Sequence, residues 1–197
     1  MRYSLKQSTP PATEPVTLNE AKDHLRVENT DEDALISGLV SAAREMAEAY
    51  TQRQLITATY TMKINDFPPG EAAIPLPRTP LGSVSAITYI DADGSTQTLG
   101  TDVYEVLDDD SEAWVVLKPG QIWPSARFEK YEAVTITFTA GYGAIASSVP
   151  AAVRSAMLLI IGNLYENRES VVLGTISSTL PMGVKTLLDT ASVRGVV

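Results

Sequence analysis

Apolar residues repeat at helical spacing near both ends of the chain. Between Leu35 and Tyr50 they recur three and four positions apart, with serine, arginine and glutamate on the opposite side, which is typical of an amphipathic helix. Thr17 and Glu20 form a T-x-x-E capping box in front of a shorter apolar stripe, so a helix begins there. The whole pattern predicts four helices, at about residues 18–27, 31–51, 150–168 and 183–189.

The third predicted helix is apolar on more than one face. Val153 and Ile160 share one face, but Leu158 and Leu159 lie off it. We therefore expect this helix to be buried on more than one side, either as a central helix or as one shared between subunits. Charged residues near both of its ends leave fewer than the ~20 apolar residues that a bilayer requires, so we expect no membrane span.

In the middle of the chain the apolar period changes to two. From Ile56 to Ile64 apolar residues alternate with threonine and lysine, as in a strand with one buried face. Asp93-Gly94 is a strong hairpin signal. Short strands between about residues 54 and 140 predict a small antiparallel sandwich or barrel inserted between the helices. The predicted fold class is therefore α+β.

The remaining segments complete the predicted domain organisation. The opening residues are polar and rich in proline, which predicts a flexible arm with little structure of its own. The predicted parts are an N-terminal arm (1–16), the first part of a helical core (17–53), the β insertion (54–140), the second part of the core (141–190) and a C-terminal tail (191–197).

Composition excludes several classes of function. The chain has 197 residues, no cysteine, one histidine and a net charge of −9. Disulfide frameworks, thiolate metal sites and histidine clusters are therefore ruled out. So acidic a protein repels nucleic acid at long range. No catalytic motif and no signal peptide is present, so we expect a non-enzymatic protein without a cofactor or structural metal that stays or assembles in the cytoplasm.

Two groups of residues in the β insertion are candidates for ligand binding. The sequence Asp91-Ala92-Asp93-Gly94 begins like a calcium loop but lacks the later ligands, so a solvated hairpin turn is the preferred interpretation. A sugar could stack on aromatic residues, for which the candidates are Trp114, Trp123 and Tyr131. Against this, Trp114 alternates as a core residue of its strand. A ligand-binding β domain for a sugar or calcium therefore remains as an alternative.

The end of the third helix and the loop after it are the candidate contact site. The loop is too apolar for a free surface loop, so we expect a partner to cover it. The predicted subunit interface comprises Arg154, Tyr165, Glu166, Asn167, Arg168, Val171, Leu173 and Ile176. The alternative for the polar residues of this set is a solvated helix C-terminus. We further expect that removal of Ser192–Val197 leaves the monomer folded and weakens assembly.

Four sequence blocks resemble the head–tail connector family of tailed bacteriophages, also called adaptor or head-completion proteins. They are PVTLNEAKDHLRVENTDEDALISGLVSAAREMAEAYTQRQLI from Pro15, TFTAGYG from Thr137, VPAAVRSAMLLIIGNLYENRESV from Val149, and LPMGVKTLL from Leu180. The blocks follow the family's order. One departure is Gln52, which stands where the family often has a glycine after the first long helix.

The resemblance implies a structural role in the virion. Family members have a helical core and form a ring, commonly twelvefold, under the portal protein of the filled capsid. The resemblance thus implies self-association and contact with the portal, for which the predicted interface residues are also the candidates, and with a head-closure or tail protein. It also implies a location in the virion neck, reached from the host cytoplasm during assembly. DNA would pass through the ring without specific binding, which suits an acidic chain because few phosphate contacts would form. The alternative within the same particle is a tail-completion or head-closure protein.

Overall fold

The computed structural model describes residues 2–70, 72–109, 111–126, 131–167 and 181–192. The chain divides into two compact units. The sheet unit comprises Met1–Pro11 and Thr57–Tyr142, and the helical unit comprises Ala12–Ile56 and Gly143–Val197. Four α-helices and eight strands are described, so the predicted α+β class is confirmed.

The sheet unit contains two antiparallel sheets. A five-stranded sheet has the order β1-β2-β8-β4-β5, and a three-stranded sheet has the order β3-β7-β6. Both sheets are open, so of the two predicted forms the closed barrel is wrong. The strands are β1 (Tyr3–Thr9), β2 (Ala58–Ile64), β3 (Ile74–Leu76), β4 (Leu81–Ile90), β5 (Thr96–Thr98), β6 (Tyr104–Asp108), β7 (Ala113–Leu117) and β8 (Val134–Ala140).

The central strands have the alternating pattern that the sequence predicts. Every second residue of β2 and of β8 is buried, because a pleated strand turns successive side chains to opposite faces. Tyr60 of β2 stacks on Phe138 of β8 with their ring centroids 5.7 Å apart. Residues from both sheets form one apolar core, which includes Met62, Ile74, Ile87, Val115 and Ile136.

The predicted flexible arm is wrong for residues Tyr3–Thr9. They form β1 and pair with β2 from Tyr3 opposite Ile64 to Thr9 opposite Thr59, with one irregularity between Gln7 and Thr9. Leu5 packs against the apolar core of the sheet unit. The prolines lie outside the strand, and the free edge of β2 supplies backbone partners that a local reading of the sequence cannot reveal.

Trp114 is also placed differently from the prediction. In β7 the buried side chains are Ala113 and Val115, and Trp114 lies half-buried on the other face. Its neighbours across the sheet are Pro75 and Leu107. The prediction that buried and exposed residues alternate along β7 was right, but the buried face was assigned one residue away from its true position. The small Ala113, rather than the large Trp114, shares the buried face with Val115, because a shift by one residue exchanges the two faces of a strand.

The helical unit contains four helices, and all four predictions are confirmed to within a few residues. They are α1 (Leu18–Leu25), α2 (Asp33–Thr51), α3 (Ala151–Glu166) and α4 (Met182–Asp189). Helix α3 packs against each of the other three. The capping box of α1 is present, with Thr17 accepting from the backbone N–H of Glu20 and Glu20 accepting from that of Thr17.

The expectation that α3 is buried on several sides is only partly met within one chain. Leu158 is half-buried and Leu159 is 43% exposed. The buried residues of α3 follow a single side of the helix: Val153, Ala156, Met157, Ile160 and Ile161. Among the described residues, no helix is both long and apolar enough to cross a membrane.

Candidate assembly interface

Helix α2 carries two parallel apolar stripes rather than one. The first, Ile36, Val40, Ala43 and Ala47, is buried in the helical unit. The second follows positions four, three, four and three apart and is exposed or half-buried, with Leu35 40% and Met46 37% exposed. We call this second set the α2 stripe: Leu35, Leu39, Ala42, Met46 and Ala49. Such spacing places the residues along one side of a helix, as required for packing against another helix.

A concave apolar site lies on the other side of the same helix. It has a volume of about 480 Å³, and Ile145 at its wall is 61% exposed. We call it the α2 groove, and its lining residues are Thr13, Glu14, Val16, Thr17, Leu18, Ser37, Val40, Ser41, Ile145 and Ala146. The sequence analysis missed both the α2 stripe and this groove. The stripe could have been found in the sequence as a second set of apolar residues at helical spacing. The groove could not, because it forms only when segments distant in the sequence come together.

An ion-pair network holds the segment before α1 against α2. The carboxylate of Glu14 accepts hydrogen bonds from Arg44 Nε at 2.8 Å and from Ser41 Oγ at 2.9 Å. A second carboxylate, that of Glu48, accepts from Arg44 at 3.1 Å. Burial alone would lower the pKa of Arg44, but Glu14 and Glu48 raise it above its usual value. One wall of the α2 groove is therefore held by charged contacts within the chain.

Arg154, one of the predicted interface residues, makes its contacts inside the helical unit. Its Nε donates to the carbonyl of Pro15 at 3.0 Å, and its Nη2 donates to the carboxylate of Glu20. The pKa of Glu20 is lowered, first by the backbone N–H of Thr17 and also by the Thr17 hydroxyl and Arg154. Arg154 thus ties α3 to the start of α1.

The other predicted interface residues lie near the C-terminal end of α3 or beyond the described residues. Tyr165 donates its hydroxyl hydrogen to Glu32 within the helical unit. Glu166 is exposed, and the Asn167 side-chain amide donates to the carbonyl of Asn163 at 3.0 Å. Arg168, Val171, Leu173 and Ile176 lie outside the described residues. The interface role of the whole set stays a prediction.

The structure offers little support for a sugar or calcium site. Asp91 accepts hydrogen bonds from the backbone N–H groups of Asp93 and Ser95 and from the Gln97 amide. Gln97 first, and then the turn's backbone, lower the pKa of Asp91. This confirms the hairpin turn. Among the described residues, no cluster of three or more acidic or histidine side chains could hold a metal ion.

The three candidate aromatic residues are placed in different surroundings. Trp123 stacks on Phe67 with their centroids 5.2 Å apart. Tyr131 is 83% exposed beside Arg2 and Tyr3. Trp114 lies in β7 opposite Pro75 and Leu107. This arrangement does not build one sugar site.

Helix α2 thus carries two apolar surfaces, and exposed apolar surface is typical of a contact site for another protein. Residues 15–102 match the model of the phage gp6-like head-tail connector protein family. Over these residues the chain is similar to phage gp6-like head–tail connector proteins, in agreement with the resemblance drawn from its sequence motifs. No curated protein sequence is significantly similar to the chain.

Solved structures match the fold over almost the whole chain. The neck of an empty GTA particle, computed with C6 symmetry, contains a chain that is 25% identical, with a TM-score of 0.81. Chains in the virion of a native gene transfer agent (GTA) particle and in a native GTA neck computed with C12 symmetry are 24% and 23% identical, with TM-scores of 0.79 and 0.80. Each match covers 98% of this chain and 97% of the other.

Proposed function

We propose that this chain is a structural head–tail connector, or adaptor, in the neck of a phage-like particle. The observation that carries the proposal is the fold match over 98% of the chain to a protein in a particle neck. The connector family match over residues 15–102 points to the same role. The chain acts by burying surface and by its shape, without chemistry of its own.

The role requires the chain to repeat around an axis. The necks that contain similar chains were computed with C6 and C12 symmetry, which supports a ring of identical copies. In that ring, one side contacts the portal and the other side contacts a head-closure or tail protein. The net charge of −9 lets DNA pass through the channel, because few phosphate contacts would hold it there.

The end of α3 remains our proposed contact with the portal or a neighbouring subunit. Glu166 and Asn167 are exposed at this end of the described helix. The apolar residues that follow in the sequence, Val171, Leu173 and Ile176, would supply buried surface for the partner. Arg154 and Tyr165 would support this contact from within the helical unit through Glu20 and Glu32.

Immunogold electron microscopy of particles tests the proposed function. Antibody against the chain is applied to full particles and to tail-less heads from the cells that produce them. We expect label at the neck of full particles and at one vertex of filled tail-less heads. Label only at the far end of the tail, or on no particle, would overturn the connector role. Label at the neck of full particles with bare tail-less heads would favour a tail-completion or head-closure protein.

A further inference from the structure

The two apolar features of α2 lie on opposite flanks of one helix. Successive residues of an α-helix are turned by about 100°, so Leu39 and Met46 lie to one side of the buried line through Ile36 and Ala43. Ser37 and Ser41 lie to the other side and line the groove. The α2 stripe and the α2 groove therefore face roughly opposite directions.

Opposite and different faces are what a closed ring requires of its subunit. A twofold contact joins a patch to the same patch and ends at a dimer, whereas a ring joins one patch to a different patch on the next copy. The two features also have opposite shapes. The stripe presents the bulky side chains of Leu35, Leu39 and Met46, and the groove is a cavity of about 480 Å³ with walls that include Val16 and Ile145.

We propose that the α2 stripe of one copy docks into the α2 groove of the next copy around the ring. This inference rests on the proposed function, because it takes the second copy from the cyclic symmetry of the necks that hold similar chains. Docking would remove Leu35, Met46 and Ile145 from water, and these side chains are 40%, 37% and 61% exposed in the single chain. The hydroxyl groups of Thr13 and Ser37 donate to the carbonyls of Ala144 and Asp33 within the chain, so toward the neighbour their oxygens act as acceptors.

The absence of cysteine from the chain makes cross-linking a direct test. The test variant carries Leu39→Cys and Ile145→Cys, one thiol on the stripe and one at the groove. The matched control carries Ala34→Cys and Ile145→Cys, because Ala34 is an exposed residue of α2 that belongs to neither feature. Each variant replaces the native chain in the producing cells, and purified particles are treated with a bis-maleimide.

A denaturing gel should show a ladder of species larger than a dimer for the test variant and not for the control. Leu39→Cys alone should give monomer. A dimer from that single variant would indicate a stripe-to-stripe contact and overturn the inference. Equal ladders from the test and control variants would also overturn the docking inference. So would the absence of a ladder when the test variant is present in the particles. In both cases the connector role would stand. Absence of the native chain itself from particles would instead overturn the proposed function.

A second pair of variants covers the case in which cysteine disturbs incorporation. Leu39→Glu should abolish incorporation into particles, and Ala34→Glu should retain it. Thermal melting of the purified chains checks that both remain folded. Equal incorporation of two folded variants would contradict docking of the α2 stripe.

Discussion

At the residue scale, Gln52 occupies a backbone conformation that favours glycine. It follows the last residue of α2 with φ +58° and ψ +22°, in the left-handed region where a side chain is strained. Its side-chain amide donates to the carbonyl of Ala49 at 2.6 Å, which compensates part of that strain. The resemblance identified Gln52 as a departure from the glycine that the family often has at this position. The structure shows that Gln52 adopts the left-handed conformation although it is not a glycine.

We expect Gln52→Gly to raise the free energy of unfolding by up to about 1 kcal/mol, because glycine adopts this conformation without strain. Urea unfolding of the purified chain measures the change. The control is Ala49→Gly, an exposed position inside the same helix, which should lower the free energy of unfolding by about 1 kcal/mol. Destabilisation by Gln52→Gly would show that the side-chain hydrogen bond outweighs the strain.

The lowered pKa of Glu20 makes a pH-dependent contribution to stability. Because the folded-state pKa lies below the ordinary value of 4.5, this contribution is present above that pH and is lost as the pH falls through the folded pKa. We expect Glu20→Gln to destabilise the chain clearly at neutral pH and much less in acid. Urea unfolding of the native chain and of the Glu20→Gln variant from neutral to acidic pH tests this prediction. If the difference in their free energies of unfolding does not change with pH, Glu20 is not the source of the pH dependence.

At the element scale, β1 is a structural strand rather than an arm. Leu5 is half-buried and packs against the core of the sheet unit, while Lys6 is exposed. We expect Leu5→Ala to lower the free energy of unfolding by about 1 to 2 kcal/mol, less than a fully buried leucine. Lys6→Ala should change it by less than about 0.5 kcal/mol. Thermal or urea unfolding compares the two, and equal small effects would indicate that the strand is not docked.

At the scale of the whole molecule, the net negative charge should make binding to DNA weak. With 15 basic and 24 acidic residues, the chain should release few counterions from a duplex and gain little affinity. We expect no binding to duplex DNA in fluorescence anisotropy at near-physiological salt. Binding that weakens steeply as salt is added would show a phosphate-contacting surface and contradict free passage.

The sequence by itself determined the features that depend on neighbouring residues. The capping box of Thr17 and Glu20, the four helices, the alternating strands β2 and β8 and the turn at Asp91 all arise from contacts a few residues apart or from a fixed period. The family resemblance came from the same local blocks. These features were enough to predict an α+β connector.

Only the tertiary structure decided which residues meet across long separations. In the tertiary structure β1 pairs with β2, and Trp114 lies on the opposite face of β7 from Val115. Arg154 donates a hydrogen bond to Glu20, which is 134 residues away in the sequence. The tertiary structure also decided which apolar stripe of α2 is buried in the chain and which faces outward. Periodicity places residues on a face of an element, but the partner of that face is set by packing between distant segments.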